Sequence, residues 1–213
     1  IKRAGPNQTG WAAVLIIHCI KRLFMNLKSV VVNSCLLITL IALGNVFAGT
    51  SFKSIQDFNV LPSNSAEENT QNLQRAIEWA SPRGAALFVE PSEDPYPLNG
   101  GIVLLQNVSL VGVHGPVGRG TRHPEKVQPV GSVFSITDIE NIFITVEGAT
   151  QIRGVQFWYP EQTVSDPSKI IQYPPTIQVS QSKPAQGVTL SNLTFYGEYI
   201  AMDFNSNPKF PCE

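Results

Sequence analysis

Glycoside hydrolysis needs two carboxyl groups about 5 to 9.5 Å apart across the scissile bond, and Glu161 and Asp203 are the pair this sequence offers if its coils stack in register. Glu161 lies in the loop sequence YPEQTVSDP, where a solvated side chain is the competing reading. Lyase chemistry on an acidic sugar would need instead a cation and a base. Arg119, Arg122 and Lys126, flanked by His114 and His123 in HGPVGRGTRHPEK, are the basic candidates; a polar surface loop is the competing reading. A third group is aromatic: Trp158, Tyr159, Tyr173, Tyr196 and Tyr199 in FWYPEQ, QYPPTI and FYGEY would form a platform for sugar rings. Tyr159 and Tyr173 are the surface candidates, Phe157 and Phe195 belong to a core, and Trp158 fits either.

Other acid and glycine clusters carry less. Asp138 and Glu140 in TDIEN, and Glu93-Asp94 before Pro95, read as turns. Gly118-Arg119-Gly120 lacks the Lys-Ser/Thr that would make it a phosphate loop. No Cys/His cluster offers a zinc site.

Charge and composition narrow the partners. With 43% hydrophobic and 15% charged residues the 213-residue chain can build a core and is not disordered. Residues 1–48 carry five bases and no acid, so residues 49–213 hold all 16 acids against ten bases, a net charge of −6. That balance argues against nucleic acid and against an anionic membrane as partner of the mature chain. From Met25, MNLKSVVVNSCLLITLIALGNVFAGTS has the Lys-bearing start, the apolar run and the small-residue pattern of a secretory leader, with cleavage expected after Ala48. The protein is thus expected to be secreted or periplasmic. A membrane anchor would need about 18 apolar residues, and Asn33, Ser34 and Asn45 bracket a shorter run. Residues 1–24 read as upstream sequence, 25–48 as the leader, and 49–213 as the folded part. Cys212 is the single cysteine after Ala48, so no internal disulfide is available.

The elements that must position these residues are a helix and many strands. Ser65 or Asn69 can cap a helix, Glu67 and Glu68 suit its start, and Leu73, Ala76, Ile77 and Ala80 recur at helical spacing until SPRG ends it. Short β-branched or aromatic runs follow: AALFVEP, GIVLLQNVSLVGV, GSVFSI, NIFITV, ATQIRGVQFWYP, PTIQVS, GVTLSNLTFYG and YIAMDF. The absence of intervening helices excludes a doubly wound α/β fold. Residues 152–157 align with 190–195, 38 positions on, and Leu110-Val111-Gly112-Val113 precedes the first copy by 42. Each copy has an apolar residue and a turn-permissive Gly or Asn two places on, which is what stacked coils produce. An antiparallel sandwich is the alternative fold.

FKSIQDFNV, ENTQNLQRAIEWASPRGAALFVEP and YPLNGGIVLLQNVSLVGV together resemble the opening of the right-handed parallel β-helix domain of pectate-lyase-like, rhamnogalacturonase-like and tailspike-like proteins. Glu68-Asn69-Thr70 stands where that family shows two acids and Thr, and Pro91 and Tyr96 match its strand-end Pro and following Tyr. The likeness covers residues 52–204. It implies an all-β solenoid with a short helix capping one end, acting on a polysaccharide such as pectin as lyase or glycoside hydrolase, with calcium as cofactor if a lyase. A non-catalytic glycan-binding or structural module is the alternative. The family's catalytic Asp and His set, and its calcium-binding acids with an Arg or Lys base, have no residue-by-residue match here. The family also has more coils, so the resemblance implies the N-terminal part of a longer protein with an incomplete active site.

Overall fold

A computed structural model describes residues 51–113, 129–162 and 166–204 of the chain. The upstream segment, the leader, Cys212, and Arg119, Arg122, Lys126, His114 and His123 lie outside those residues. The described part contains thirteen strands and one α-helix: β1 (Phe52–Ser54), α1 (Ala66–Ala80), β2 (Ala86–Val89), β3 (Tyr96–Leu98), β4 (Ile102–Leu104), β5 (Ser109–Gly112), β6 (Val133–Ile136), β7 (Ile144–Val146), β8 (Gln151–Arg153), β9 (Gln156–Trp158), β10 (Ile177–Val179), β11 (Thr189–Ser191), β12 (Thr194–Tyr196) and β13 (Met202–Asp203). No described helix is long and apolar enough to cross a membrane.

The strands form three sheets, in the orders β1-β2-β5-β8-β11, β3-β6-β9-β12 and β4-β7-β10-β13. From β2 onward the chain visits the first, second and third sheet in turn, and each strand pairs with the strand laid down one visit earlier. Every pairing between these strands is parallel. That rules out the antiparallel sandwich; the antiparallel contact among the described residues is an isolated bridge from Ser92 to Gly131. The two repeat copies pair as the sequence aligned them: Leu110 lies opposite Ile152, which lies opposite Leu190, and Phe157 lies opposite Phe195.

Parallel stacking in register turns each inward position into a column of like side chains. Leu87, Leu110, Ile152 and Leu190 line the first sheet, and Ile102, Ile144, Ile177 and Met202 line the third. The second sheet carries an aromatic column of Tyr96, Phe134, Phe157 and Phe195, with successive ring centroids 6.4, 6.2 and 5.1 Å apart. All but the last member of each column are buried. Phe157 and Phe195 therefore pack as core, as their spacing predicts.

Corners are also stacked. Gly84, Asn107, Ala149 and Gly187 each stand two residues ahead of a first-sheet strand, and all four are left-handed, with φ of 58, 64, 55 and 71°. The exit corner repeats too: Gly112, Gly154 and Asn192 follow β5, β8 and β11 by zero or one residue. A Cβ on Gly112 would sit 2.6 Å from the Ser132 Cβ and 2.7 Å from the Gly154 carbonyl oxygen, so glycine is required there.

Helix α1 covers the exposed edges of β3 and β4. Ser65 caps it, its Oγ accepting from the Glu68 amide at 3.2 Å, and Leu73, Ala76, Ile77 and Ala80 form the buried stripe. Asn69 is not the cap; it is fully buried and works on the edge instead. Its amide accepts from the Leu61 N–H at 2.9 Å and donates to the carbonyls of Leu61 at 2.7 Å and Pro97 at 3.0 Å. Gln74 repeats the device one turn on: its Oε1 accepts from Val103 N–H at 3.0 Å and its Nε2 donates to the Val103 carbonyl at 3.3 Å. Thr70 Oγ1 accepts from the Asn99 amide at 2.8 Å. Side chains of the helix thus stand in for the missing strand and satisfy edge groups that would otherwise recruit another chain.

Leaving such buried groups unpaired costs about 1–3 kcal/mol each. Asn69→Ala is expected to destabilise the fold by at least about 2 kcal/mol on that scale, and Gln74→Ala by less because Gln74 is only half-buried. Urea unfolding of the two variants measures the difference; equal losses would mean that the edge bonds do not carry the helix contact.

Candidate functional site

Chemistry-bearing side chains converge where β9 and β12 leave the second sheet. Alternation along β9 turns Phe157 inward and Trp158 outward, and the register sets Tyr196 beside Trp158. Both are half-buried, so an aromatic pair stands on the outer face of two neighbouring strands. Beyond the strands, Glu161 is exposed and Glu198 half-buried.

Two contacts fix these loops. The Gln162 side chain donates to the Ile171 carbonyl and accepts from the Ile171 N–H, both at 2.9 Å, closing the segment between them. Gly197, at φ 79°, packs against Tyr159 and Gln162: a Cβ there would meet the Tyr159 carbonyl oxygen and the Gln162 Cβ at 3.0 Å. The chain can turn tightly at this point only through glycine, and the turn carries Glu198 back against the body of the fold.

Tyr159 and Tyr173 do not form the surface platform expected of them. They are 3% and 1% exposed, and their rings pack together at 4.6 Å with a 53° tilt. The Tyr159 hydroxyl shares a 2.6 Å hydrogen bond with Thr176 Oγ1, whereas the Tyr173 hydroxyl is buried with no hydrogen-bond partner. A flat amphipathic ring gains more from burial than from display when a partner ring is in reach, which is why the expectation fails.

The carboxylates act on this tyrosine pair. Burial raises the Tyr159 pKa, and the charge of Glu198 raises it further. Burial also raises that of Tyr173, with the charge of Glu161 adding to it. Glu198 has its own pKa pushed up by burial, partly offset by a backbone hydrogen bond. Glu161 and Glu198 therefore both address the tyrosine cluster, one through each ring. Asp203, expected to pair with Glu161, is instead on β13 of the third sheet, in register with Gln178 and accepting from its Nε2 at 3.1 Å. Strand register brings Asp203 to Gln178 and not to Glu161. Glu198 stands among aromatics in FYGEY, and its half-burial follows from tertiary packing that no local sequence pattern encodes.

The remaining candidates are structural. Asp138 is a turn hub: Asn141 Nδ2 and the amides of Gly100, Glu140 and Asn141 donate to it at 2.8–3.2 Å. Burial pushes its carboxyl up, but these four hydrogen bonds outweigh it and hold the pKa below the ordinary value. A surface depression of about 460 Å³ on α1 is lined by Thr70, Gln71, Gln74, Arg75, Glu78 and Gly101. Its Thr70 and Gln74 are already committed to backbone groups of Asn99 and Val103. Among the described residues no three His, Cys, Asp or Glu side chains gather as a cation site, so the calcium implied by the lyase resemblance has no ligand set there.

Family models, curated proteins and solved structures were each compared with the chain, and none matches.

The burial of Glu198 has a pH signature. Its folded-state pKa lies above the ordinary carboxyl value of 4.5, so the folded chain holds that proton more tightly than the unfolded one. Stability then falls as pH rises from about 4.5 through the folded pKa. Glu198→Gln is expected to be more stable than the parent at pH 7, with the gap narrowing as pH falls to 4.5. Thermal unfolding of both proteins across that range reads it, and a gap independent of pH would contradict the assignment.

Proposed function

We propose that the chain is an exported right-handed parallel β-helix that engages a polysaccharide through the outer face of its second sheet. The observation that carries this reading is the Trp158–Tyr196 pair, in register on adjacent strands with Glu161 and Glu198 in the loops that follow. Neighbouring strands are about 4.8 Å apart, so two adjacent aromatic side chains present a continuous apolar surface to the CH face of a sugar ring, while carboxylates accept from its hydroxyls. Support for the β-helix comes from the parallel register of all three sheets and from the side-chain columns; the right hand follows from the strong preference of parallel crossovers for that path. Export rests on the leader pattern ending near Ala48.

Glu198 favours hydrolysis over elimination as the accompanying chemistry. A carboxyl whose pKa is raised by burial suits proton donation to a leaving oxygen, and Glu161 on the neighbouring loop is the second carboxyl this reading assigns. For a lyase, Arg119 and Arg122, outside the described residues, are the candidates to bind the acidic sugar. Binding without turnover by the same aromatic face is the second reading, favoured by the Tyr173 and Tyr159 rings being buried and unable to extend the platform.

The experiment is a binding and turnover panel of neutral glycans and polygalacturonate with the full chain. Trp158→Ala and Tyr196→Ala are each expected to weaken glycan binding about tenfold, equivalent to about 1.4 kcal/mol. Release of reducing ends that Glu198→Gln abolishes supports the hydrolase; unsaturated ends point to a lyase; binding with neither supports the non-catalytic module. Binding unaffected by both aromatic variants would remove the proposed face.

A further inference from the structure

Asn107-Val108-Ser109 and Asn192-Leu193-Thr194 are the two Asn-X-Ser/Thr triplets that follow the expected cleavage point at Ala48. A third, Asn7-Gln8-Thr9, precedes it. The two asparagines have the same kind of place in the fold. Asn107 is at the corner entering β5 and Asn192 at the corner leaving β11, with φ of 64 and 51°. Both are exposed. Elsewhere in these two corner columns the chain uses Gly84, Ala149, Gly187, Gly112 and Gly154, so a polar side chain there is not demanded by the turn alone.

We propose that Asn107 and Asn192 are acceptors of N-linked oligosaccharide. The motif requires a chain that enters an export route, so the proposal rests on the reading of residues 25–48 as a cleaved leader. The donor is an oligosaccharide carried on a lipid pyrophosphate. The side-chain Nδ2 forms a bond to the anomeric carbon of the first sugar as the bond from that carbon to the pyrophosphate oxygen breaks. The lipid pyrophosphate leaves with the bonding electron pair, and the amide gives up one of its two protons.

Transfer acts on the unfolded chain, so the half-buried Ser109 and the buried Thr194 do not impede it. What the folded structure must supply is room for the product, and the corners supply it. Asn107 precedes the first-sheet strand and Asn192 follows one, so the two oligosaccharides would flank the outer face of the first sheet. Each would also cover a turn that strand pairing leaves open to solvent. Neither asparagine lies on a strand of the second sheet, whose outer face carries Trp158 and Tyr196.

Translation of the chain from Met25 with rough microsomes tests this, because protease protection reads export and gel mobility reads modification in one sample. The expected product is protected and carries two added oligosaccharides, both removed by an amidase specific for the Asn–sugar bond. Asn107→Gln and Ser109→Ala should each delete the same single step, and Asn192→Gln and Thr194→Ala the other; the readout does not depend on folding. A protected product without the mobility steps overturns the modification and leaves export standing. An unprotected product overturns the export reading, and the modification falls with it.

Discussion

Everything in this fold depends on parallel strands pairing in register across successive passages of the chain. Strands of two to four residues have no stability of their own, so each inward side chain needs a neighbour above and below in its column. Ile177 lies between Ile144 and Met202 and is fully buried; Met202, with Ile177 on one side among the described strands, is 45% exposed. Stability of this kind is a sum of nearest-neighbour contacts along the stack. The same constraint explains the corners. A polypeptide that must return to register every 23 to 42 residues, through loops of unequal length, needs a fixed change of direction just before and just after the first-sheet strand. Left-handed residues provide it at each entry corner and, through Gly154 and Asn192, after β8 and β11.

Register also creates an edge at the first passage, and the chain closes that edge by two different means. At β3 the Asn69 amide donates to the Pro97 carbonyl, and at β4 the Gln74 amide offers Val103 both an acceptor and a donor, as a neighbouring strand would. At β1, which among the described strands pairs with β2 alone, the device is charge. The Lys53 ammonium lies 5.3 Å from the Phe58 ring centre and 5.0 Å from that of Trp79, with the Arg83 guanidinium 5.0 Å from Trp79 as well. Cations held over aromatic rings stabilise the corner, and a lysine on an edge strand discourages further pairing.

The periodic part of this architecture was legible in the sequence because it is periodic. Leu110, Ile152 and Leu190 with their following Gly or Asn fall on one column, and the helix stripe from Leu73 to Ala80 faces the core as its spacing requires. What was not legible lies between the periods. Tyr159 before Pro160 and Tyr173 before Pro174 have the local character of exposed loop aromatics, and their burial follows from a contact between residues 14 apart that no repeat encodes. Asn69 looked like a helix cap because Asn commonly caps; its true partners, Leu61 and Pro97, are set by how α1 crosses the sheet edges. Arg119 and Arg122 lie outside the described residues.

The candidate site is found where the register stops acting, and that location decides its chemistry. On β9 and β12 the alternation alone fixes Trp158 and Tyr196 outward, so the apolar half of the site is a product of the fold. Past the strand ends, position is set by individual contacts: the Gln162 clamp on Ile171, and Gly197 pressed against Tyr159. A Cβ at Gly197 would meet the Tyr159 carbonyl oxygen and the Gln162 Cβ at 3.0 Å, at a φ of 79° that L residues rarely adopt, so the turn leading from Tyr196 to the half-buried Glu198 favours glycine. Glu161 is exposed on the other loop. One fold feature supplies the aromatic surface, and local contacts beyond the strands set the unequal burial of the two carboxylates that flank it.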